Sequence, residues 1–242
     1  MKKCYLASLT LLALAGALQS LMASEISGKV KLKGTPKPEV PITLDATCGA
    51  MHPTPITTRH FVVGPDKGLA NVFVYIKQGA TTTPAAAGAE EPLLDQAGCQ
   101  YEPYVMGVVA GQKFKIRNSD PTLPNLPPVL HNIHATPKIN KEFNFAQPSK
   151  GQVNEKSFDK PEVLVRMKCD VHPWMFAYIG VTDHPYYAVT DKSGSFKIPN
   201  LPAGKYTIEA YHLKAGAKSQ EITVGADDKK TVDFELEAPA AP

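Results

Sequence analysis

From Pro161 to Cys169 the side chains alternate, with Val163, Val165, Met167 and Cys169 on one side and Leu164, Arg166 and Lys168 on the other. A period of two marks a strand, because successive side chains leave opposite faces. If the valine side faces a core, Cys169 ends the strand pointing inward. The loop that follows, Cys169-Asp-Val-His172-Pro-Trp-Met175, adds an imidazole and a thioether. Pro173 stiffens that loop by fixing its own φ. No other stretch constrains the chain as much. It requires a sheet with a buried face, and a rigid turn that gathers polarisable side chains at the strand end.

The rest of the chain reads as β-structure too. Proline is abundant, at 22 residues, and the apolar runs are short, which favours strands and loops over helices. Ile26 to Leu32 alternates against Lys29, Lys31 and Lys33, as in a strand with one wet face. Asn71 to Ile76 is apolar on both faces, and Val105–Val109, Lys113–Arg117 and Phe176–Thr182 read as further strands. After His184-Pro185 come five short strands with turns at Asp191–Gly194 and Pro202–Gly204. Five are few for a closed sandwich, which has about seven. Adding Ile26–Leu32 and Asn71–Ile76 predicts that the N-terminal segment folds with the C-terminal one and that a second unit is inserted between them. The expected divisions are a leader at 1–24, an N-terminal β segment at 25–80, a linker at 81–92, the inserted unit at 93–183, a C-terminal sandwich at 184–236 and a disordered Pro/Ala tail at 237–242.

Lys2 and Lys3 before the apolar run Tyr5–Leu18, with small residues at Ala23 and Ser24, predict a secretory signal cleaved near Ser24. No later stretch is apolar enough to span a bilayer, so the mature chain is expected to be exported, periplasmic or secreted. Without Lys2 and Lys3 the balance is 24 basic against 23 acidic residues. That offers no concentrated basic face for nucleic acid. Outside the leader remain Cys48, Cys99 and Cys169, an odd count that leaves one thiol to explain in an oxidising compartment. Either Cys169 pairs with one of the others, or Cys169 has another task and Cys48 and Cys99 are free to form a disulfide.

A thiolate, imidazoles and a thioether together are the ligands of a mononuclear copper electron-transfer site, two histidines and a cysteine in a plane with a weak axial methionine. The missing imidazole lies upstream in Leu130-His131-Asn132-Ile133-His134. His131 and His134 leave opposite strand faces, so both cannot converge on one ion. The Cys-x2-His-x2-Met loop, with a His-Asn pair about forty residues earlier, resembles the type 1 copper cupredoxins of the amicyanin type. Gly111-Gln112, Asn118-Ser119-Asp120, Ala188–Asp191 and Leu201-Pro-Ala-Gly-Lys-Tyr206 extend the resemblance. They make the frame similar to secreted, methylamine-utilisation-type proteins that join such a domain to a carboxypeptidase-regulatory-like sandwich. The resemblance implies an all-β chain. One part is a cupredoxin-like Greek-key β-sandwich, and the other an Ig/prealbumin-like carboxypeptidase-regulatory-like β-sandwich. It implies one type 1 copper held by His131, Cys169, His172 and Met175. Asn132 would tie the two ligand loops together, with Asp170 and Trp174 beside the ligands. The loop histidine usually reaches the surface in this family. Here that places His172 in an apolar rim with Pro173, Trp174 and Phe176, although Trp174 suits a core equally well.

Residues 43–63 also carry Met51, His52 and His60, but without ligand spacing. They read as a surface loop tied down by Cys48. The four prolines between Asp120 and Leu130 form a rigid loop close to the metal. No paired carboxylates or nucleophile constellation accompanies the loop, so no enzyme is expected. The expected activity is electron transfer with a transient redox partner protein. Copper trafficking or storage by the same ligands is the alternative. Carbohydrate binding through Tyr186, Tyr187, Tyr206 and Tyr211 of the C-terminal sandwich is another, although tyrosines at strand positions are more often core.

Overall fold

The computed structural model describes residues 24–239. The predicted leader through Ala23 and the last three residues of the predicted tail lie outside the described residues. The strands are β1 (Ser24–Lys33), β2 (Phe73–Gln78), β3 (Leu93–Gln96), β4 (Tyr101–Glu102), β5 (Val105–Val109), β6 (Phe114–Asn118), β7 (His131–Thr136), β8 (Phe143–Gln147), β9 (Val153–Lys156), β10 (Glu162–Lys168), β11 (Phe176–Thr182), β12 (Tyr187–Val189), β13 (Ser195–Leu201), β14 (Gly204–His212), β15 (Gly216–Val224), β16 (Lys229–Thr231) and β17 (Phe234–Glu237). Among the described residues one short α-helix, α1 (Ala46–Ala50), and a single 3-10 turn at Pro65–Lys67 interrupt them. The fold class is all-β.

Four sheets stack as two sandwiches. In the terminal sandwich, β1 carries β13 antiparallel and β16 and β17 parallel, facing a sheet of order β12-β2-β14-β15. Ile26, Val30 and Leu32 of β1 meet Val74, Ile76, Ile208 and Val224 in its core. Their alternation with lysines therefore becomes buried against exposed, as the period of two requires. The central sandwich packs a sheet of order β5-β11-β10-β7-β8 on one of order β4-β3-β6-β9. Its core holds Leu94, Phe114, Ile116, Ile133, Met167 and Ile179.

The β2 strand is apolar on both sides because both sides are covered. Val74 and Ile76 enter the terminal core, whereas Phe73 and Tyr75 join Val105, Leu164 and Tyr178 in a third cluster between the sandwiches. Gly107 and Gly180 make that junction close. They are paired neighbours on β5 and β11, and the rings of Tyr187 and Phe73 lie on them. A Cβ at Gly180 would stand 2.5 Å from Cε2 of Phe73, which is itself fully buried. Gly180→Ala should therefore cost about 1–3 kcal/mol by overpacking, read by urea denaturation, and Phe73→Leu in the same chain should recover part of it.

Two expectations change here. Val163 is 37% exposed rather than turned into the core. Leu164 adopts a φ of 56°, and the β10–β11 register shifts between Glu162 and Val165. This bulge adds one residue to the strand, so Val165, Met167 and Cys169 keep the core face and Val163 loses it. The tail also begins later than expected. Glu237 still pairs with Lys33 in the β1–β17 ladder, and Lys33 donates to its carboxylate at 2.9 Å.

Candidate metal centre

Cys169 follows the last residue of β10, on the core side that Val165 and Met167 share. The loop after it closes on itself: the Met175 amide donates to the His172 carbonyl at 3.0 Å, and the Cys169 amide to the Met175 carbonyl at 3.2 Å. Met175 is buried in the same core cluster as Cys169. His131, the first residue of β7, enters from the neighbouring strand. Nδ1 of His131 and Nδ1 of His172 are 3.0 Å apart, and Sγ of Cys169 is 3.7 Å from Nδ1 of His172. All three side chains are buried, and their donor atoms lie within 4.8 Å of one another.

These distances suit one ion. Donors at about 2.0–2.3 Å in a trigonal plane are separated by roughly 3.5–3.8 Å. The sulfur–nitrogen edge already matches, and a small outward turn of either ring opens the nitrogen–nitrogen edge. The donor chemistry fits copper better than zinc, because the cluster pairs one thiolate with two imidazoles beside a buried methionine, and thioethers are soft ligands.

The histidines are oriented from behind. Nε2 of His131 donates to Asp120 Oδ2 at 2.7 Å, which leaves Nδ1 with a lone pair facing the cluster. Carboxylate–histidine pairs of this kind fix tautomer and ring orientation at metal sites. Burial alone would lower the His131 pKa, but the hydrogen bonds to Asp120 and Cys169 outweigh it and raise it. Burial likewise pushes the Cys169 thiol up. Hydrogen bonding between the thiol and the His131 and His172 side chains, and with the backbone of Asn132 and His172, overcomes it and holds the thiol at about 6. The cluster thus favours a thiolate at neutral pH.

Asn132 ties the two loops: its Oδ1 accepts from the Asp170 amide at 2.7 Å and its Nδ2 donates to the Asp170 carboxylate at 3.0 Å. Asp170 is exposed. Lys168, with help from His134, Asn132 and Asn144, holds its carboxyl far below the usual range. His134 bonds Asp170 and Glu142 on the outer face, away from the cluster. The Trp174 ring packs 5.1 Å from that of His172, and its Nε1–H donates to the Cys99 carbonyl at 3.0 Å.

The surface position expected for His172 is wrong: the residue is 6% exposed. Segment 43–63 covers it. Asp45 caps α1 by accepting from the amides of Thr47 and Cys48, and its other oxygen stands 3.3 Å from Nε2 of His172. Cys48 is bonded to Cys99, and its sulfur lies 3.7 Å from the same nitrogen. The segment is therefore a cover over the site rather than a surface loop, and Cys48 is not available as a ligand while the disulfide stands. Phe176 also leaves the expected rim. It packs at the junction between the sandwiches, under the Arg166 guanidinium.

Asp120 and Asp45 were missed by sequence reasoning. Asp120 stood in a stretch noted for resemblance, but nothing local aims it at His131. Asp45 lies 127 positions from its partner His172. Of the tyrosines considered for stacking, Tyr206 is buried and Tyr186, Tyr187 and Tyr211 are half-buried.

Residues 172–237 match the family model of the carboxypeptidase regulatory-like domain. The match spans less than half of the chain. It starts at His172 and takes in β11, which pairs with β5 and β10 of the central sandwich, before covering the C-terminal strands. No curated protein matches the sequence. Among solved structures, a purple cupredoxin from Nitrosopumilus maritimus is 19% identical. The similarity covers 38% of this chain and all of that one, at a TM-score of 0.31. An oxidised point mutant of amicyanin is 19% identical over 45% of this chain and 97% of its own, at 0.32. A copper-containing nitrite reductase from Thermus scotoductus is 22% identical over 41% of this chain and only 25% of its own, at 0.32. At these scores the likeness carries no weight of its own, and the functional reading rests on the side chains.

Proposed function

We propose that His131, Cys169, His172 and Met175 hold one copper ion, and that the protein carries single electrons to a partner protein by brief contact. The observation that carries this reading is the convergence of two Nδ1 atoms and one sulfur, 3.0 and 3.7 Å apart, in a buried cluster. Copper bound there supplies a one-electron Cu(II)/Cu(I) couple. The chain does the rest. Asp120 holds the His131 tautomer, Asn132 locks the two ligand loops together, and the cluster excludes water. With His131, Cys169 and His172 all buried, no side of the cluster is open to a substrate, which supports a carrier rather than an enzyme. The same closure argues against trafficking, which needs easy ligand exchange. No helix of the described residues is long and apolar enough to cross a membrane. A leader-like N-terminus and the disulfide support an oxidising compartment outside the cytoplasm, periplasmic or secreted. Half-buried Trp174, against the His172 ring, exposed Asp45, 3.3 Å from Nε2 of His172, and exposed Val171 and Pro173 are residues beside the cluster that a redox partner could touch.

The test is reconstitution. Purified protein given Cu(II) should develop an intense visible thiolate band, lose it with a one-electron reductant and recover it with an oxidant. Zinc retained in a colourless protein under copper excess would overturn the reading, and a redox-inert Cu(I) form that gives its metal to an acceptor would favour trafficking.

A further inference from the structure

The solvent side of His172 is closed by residues far away in the chain. Only Asp45 and Cys48 stand within 4 Å of its Nε2 among the polar and sulfur contacts described. The cover is small. The α1 helix is five residues long and joins no sheet. Leu44 and Met51 pack on the central core at its edges, and Nε2 of His52 bonds the Gly98 carbonyl at 2.6 Å. Its one covalent anchor is the Cys48–Cys99 bond. That anchor reaches both imidazoles. The Cys48 sulfur touches His172, while the Cys99 amide donates to Asp120 at 2.9 Å, on the carboxylate oxygen that holds His131. The Cys99 carbonyl receives the indole N–H of Trp174. The remaining sides of the cluster are strand ends fixed in ladders, such as β7 on β8 and β10.

We propose that residues 45–51 are a lid over the donor cluster, latched by Cys48–Cys99, and that copper enters and leaves only with the latch open. The proposal rests on the copper reading above. Asp45 is a positioning residue in it, holding His172 from behind while capping the lid helix. Opening is a two-electron step. A dithiol reductant gives two electrons and two protons to the disulfide, leaving Cys48 and Cys99 as thiols and the reductant as a disulfide. Both half-cystines are fully buried, so the reductant acts only through a local opening of the lid, and the latched state persists. The order that follows is copper first, disulfide second.

The test begins without metal. Cys169 is the free thiol of the described residues, and a reagent must pass His172 to reach it. In metal-free protein, alkylation of Cys169 by iodoacetamide, mapped by mass spectrometry, should be about tenfold faster or more once Cys48 and Cys99 are both serine. Asp45→Ala, which keeps the disulfide, should give a smaller rise, and Gly180→Ala, which destabilises the distant junction, should give none. Copper uptake and release to a Cu(I) chelator should accelerate in the same order. Dithiothreitol should bring the wild type to the rate of the double variant. Equal alkylation rates in latched and unlatched protein overturn the lid. If the double variant fails to fold, an unchanged rate in Asp45→Ala does so. Failure to bind copper in any form, with the alkylation difference intact, sinks the copper reading and leaves the lid standing.

Discussion

Cys169→Ser should abolish the visible band of the copper-loaded protein and lower its copper affinity at least about 100-fold, beyond what losing an outer-sphere partner costs. The sulfur is the one anionic donor of the cluster. Burial works against its ionisation, yet hydrogen bonding with the two imidazoles and with the backbone of Asn132 and His172 holds its pKa at about 6, so it is mainly thiolate at neutral pH. A serine hydroxyl in its place stays protonated, and its oxygen is a hard donor where copper sites use a soft one. The fold should survive. Asn132 Oδ1 lies 3.3 Å from the sulfur and can accept the hydroxyl proton, so the metal-free variant should lose only about 1 kcal/mol. Optical titration with copper against a competing chelator, beside urea denaturation of both metal-free proteins, separates the two effects. A band that persists in the variant would place the thiolate ligand elsewhere.

How far this centre could be read from the chain varied with distance along it. The all-β class was legible because alternation and turn chemistry are local properties. Ile26, Val30 and Leu32 alternate with lysines in the sequence and with solvent in the sheet. The gathering of Cys169 and His172 was legible for the same reason, since a thiol, an imidazole and a thioether within seven residues need no tertiary information. The inward reading of Val163 failed because a bulge is not visible in a hydrophobic pattern. A leucine gives no sign that it will take a positive φ, as glycine would. The glycines that did carry a message, Gly107 and Gly180, look ordinary until β5 and β11 are side by side under Phe73 and Tyr187. The burial of His172 was the largest omission. Its cause is residues 45–48, which become neighbours only after the N-terminal strap crosses the end of the central sandwich. Polar residues at Asp45 and Thr47 with prolines nearby read as surface, yet Thr47 is buried and only Asp45 keeps an exposed side.

Asp120 is the residue whose loss should couple stability to metal binding most strongly. Its two oxygens take three protons inside the protein: one from the Gly98 amide, one from the Cys99 amide and one from Nε2 of His131. The carboxylate is buried, so water cannot replace it. Asp120→Ala leaves all three donors without a partner, and should cost about 3–5 kcal/mol in urea denaturation of the metal-free protein, as breaking a buried charged pair does. Asp120→Asn is the sharper instrument. With its oxygen toward His131, the new amide confronts the Gly98 N–H with another N–H. With its amide toward His131, Nε2 must accept, the ring proton moves to Nδ1, and the lone pair that faced the cluster is gone. Either arrangement weakens copper binding, and the expected loss is about 10- to 100-fold, measured by chelator competition. The retained thiolate should keep a visible band in whatever copper still binds, which separates this variant from Cys169→Ser. Unchanged affinity in Asp120→Asn would mean that ring packing alone orients His131, and that the carboxylate serves the Gly98–Cys99 turn and not the metal.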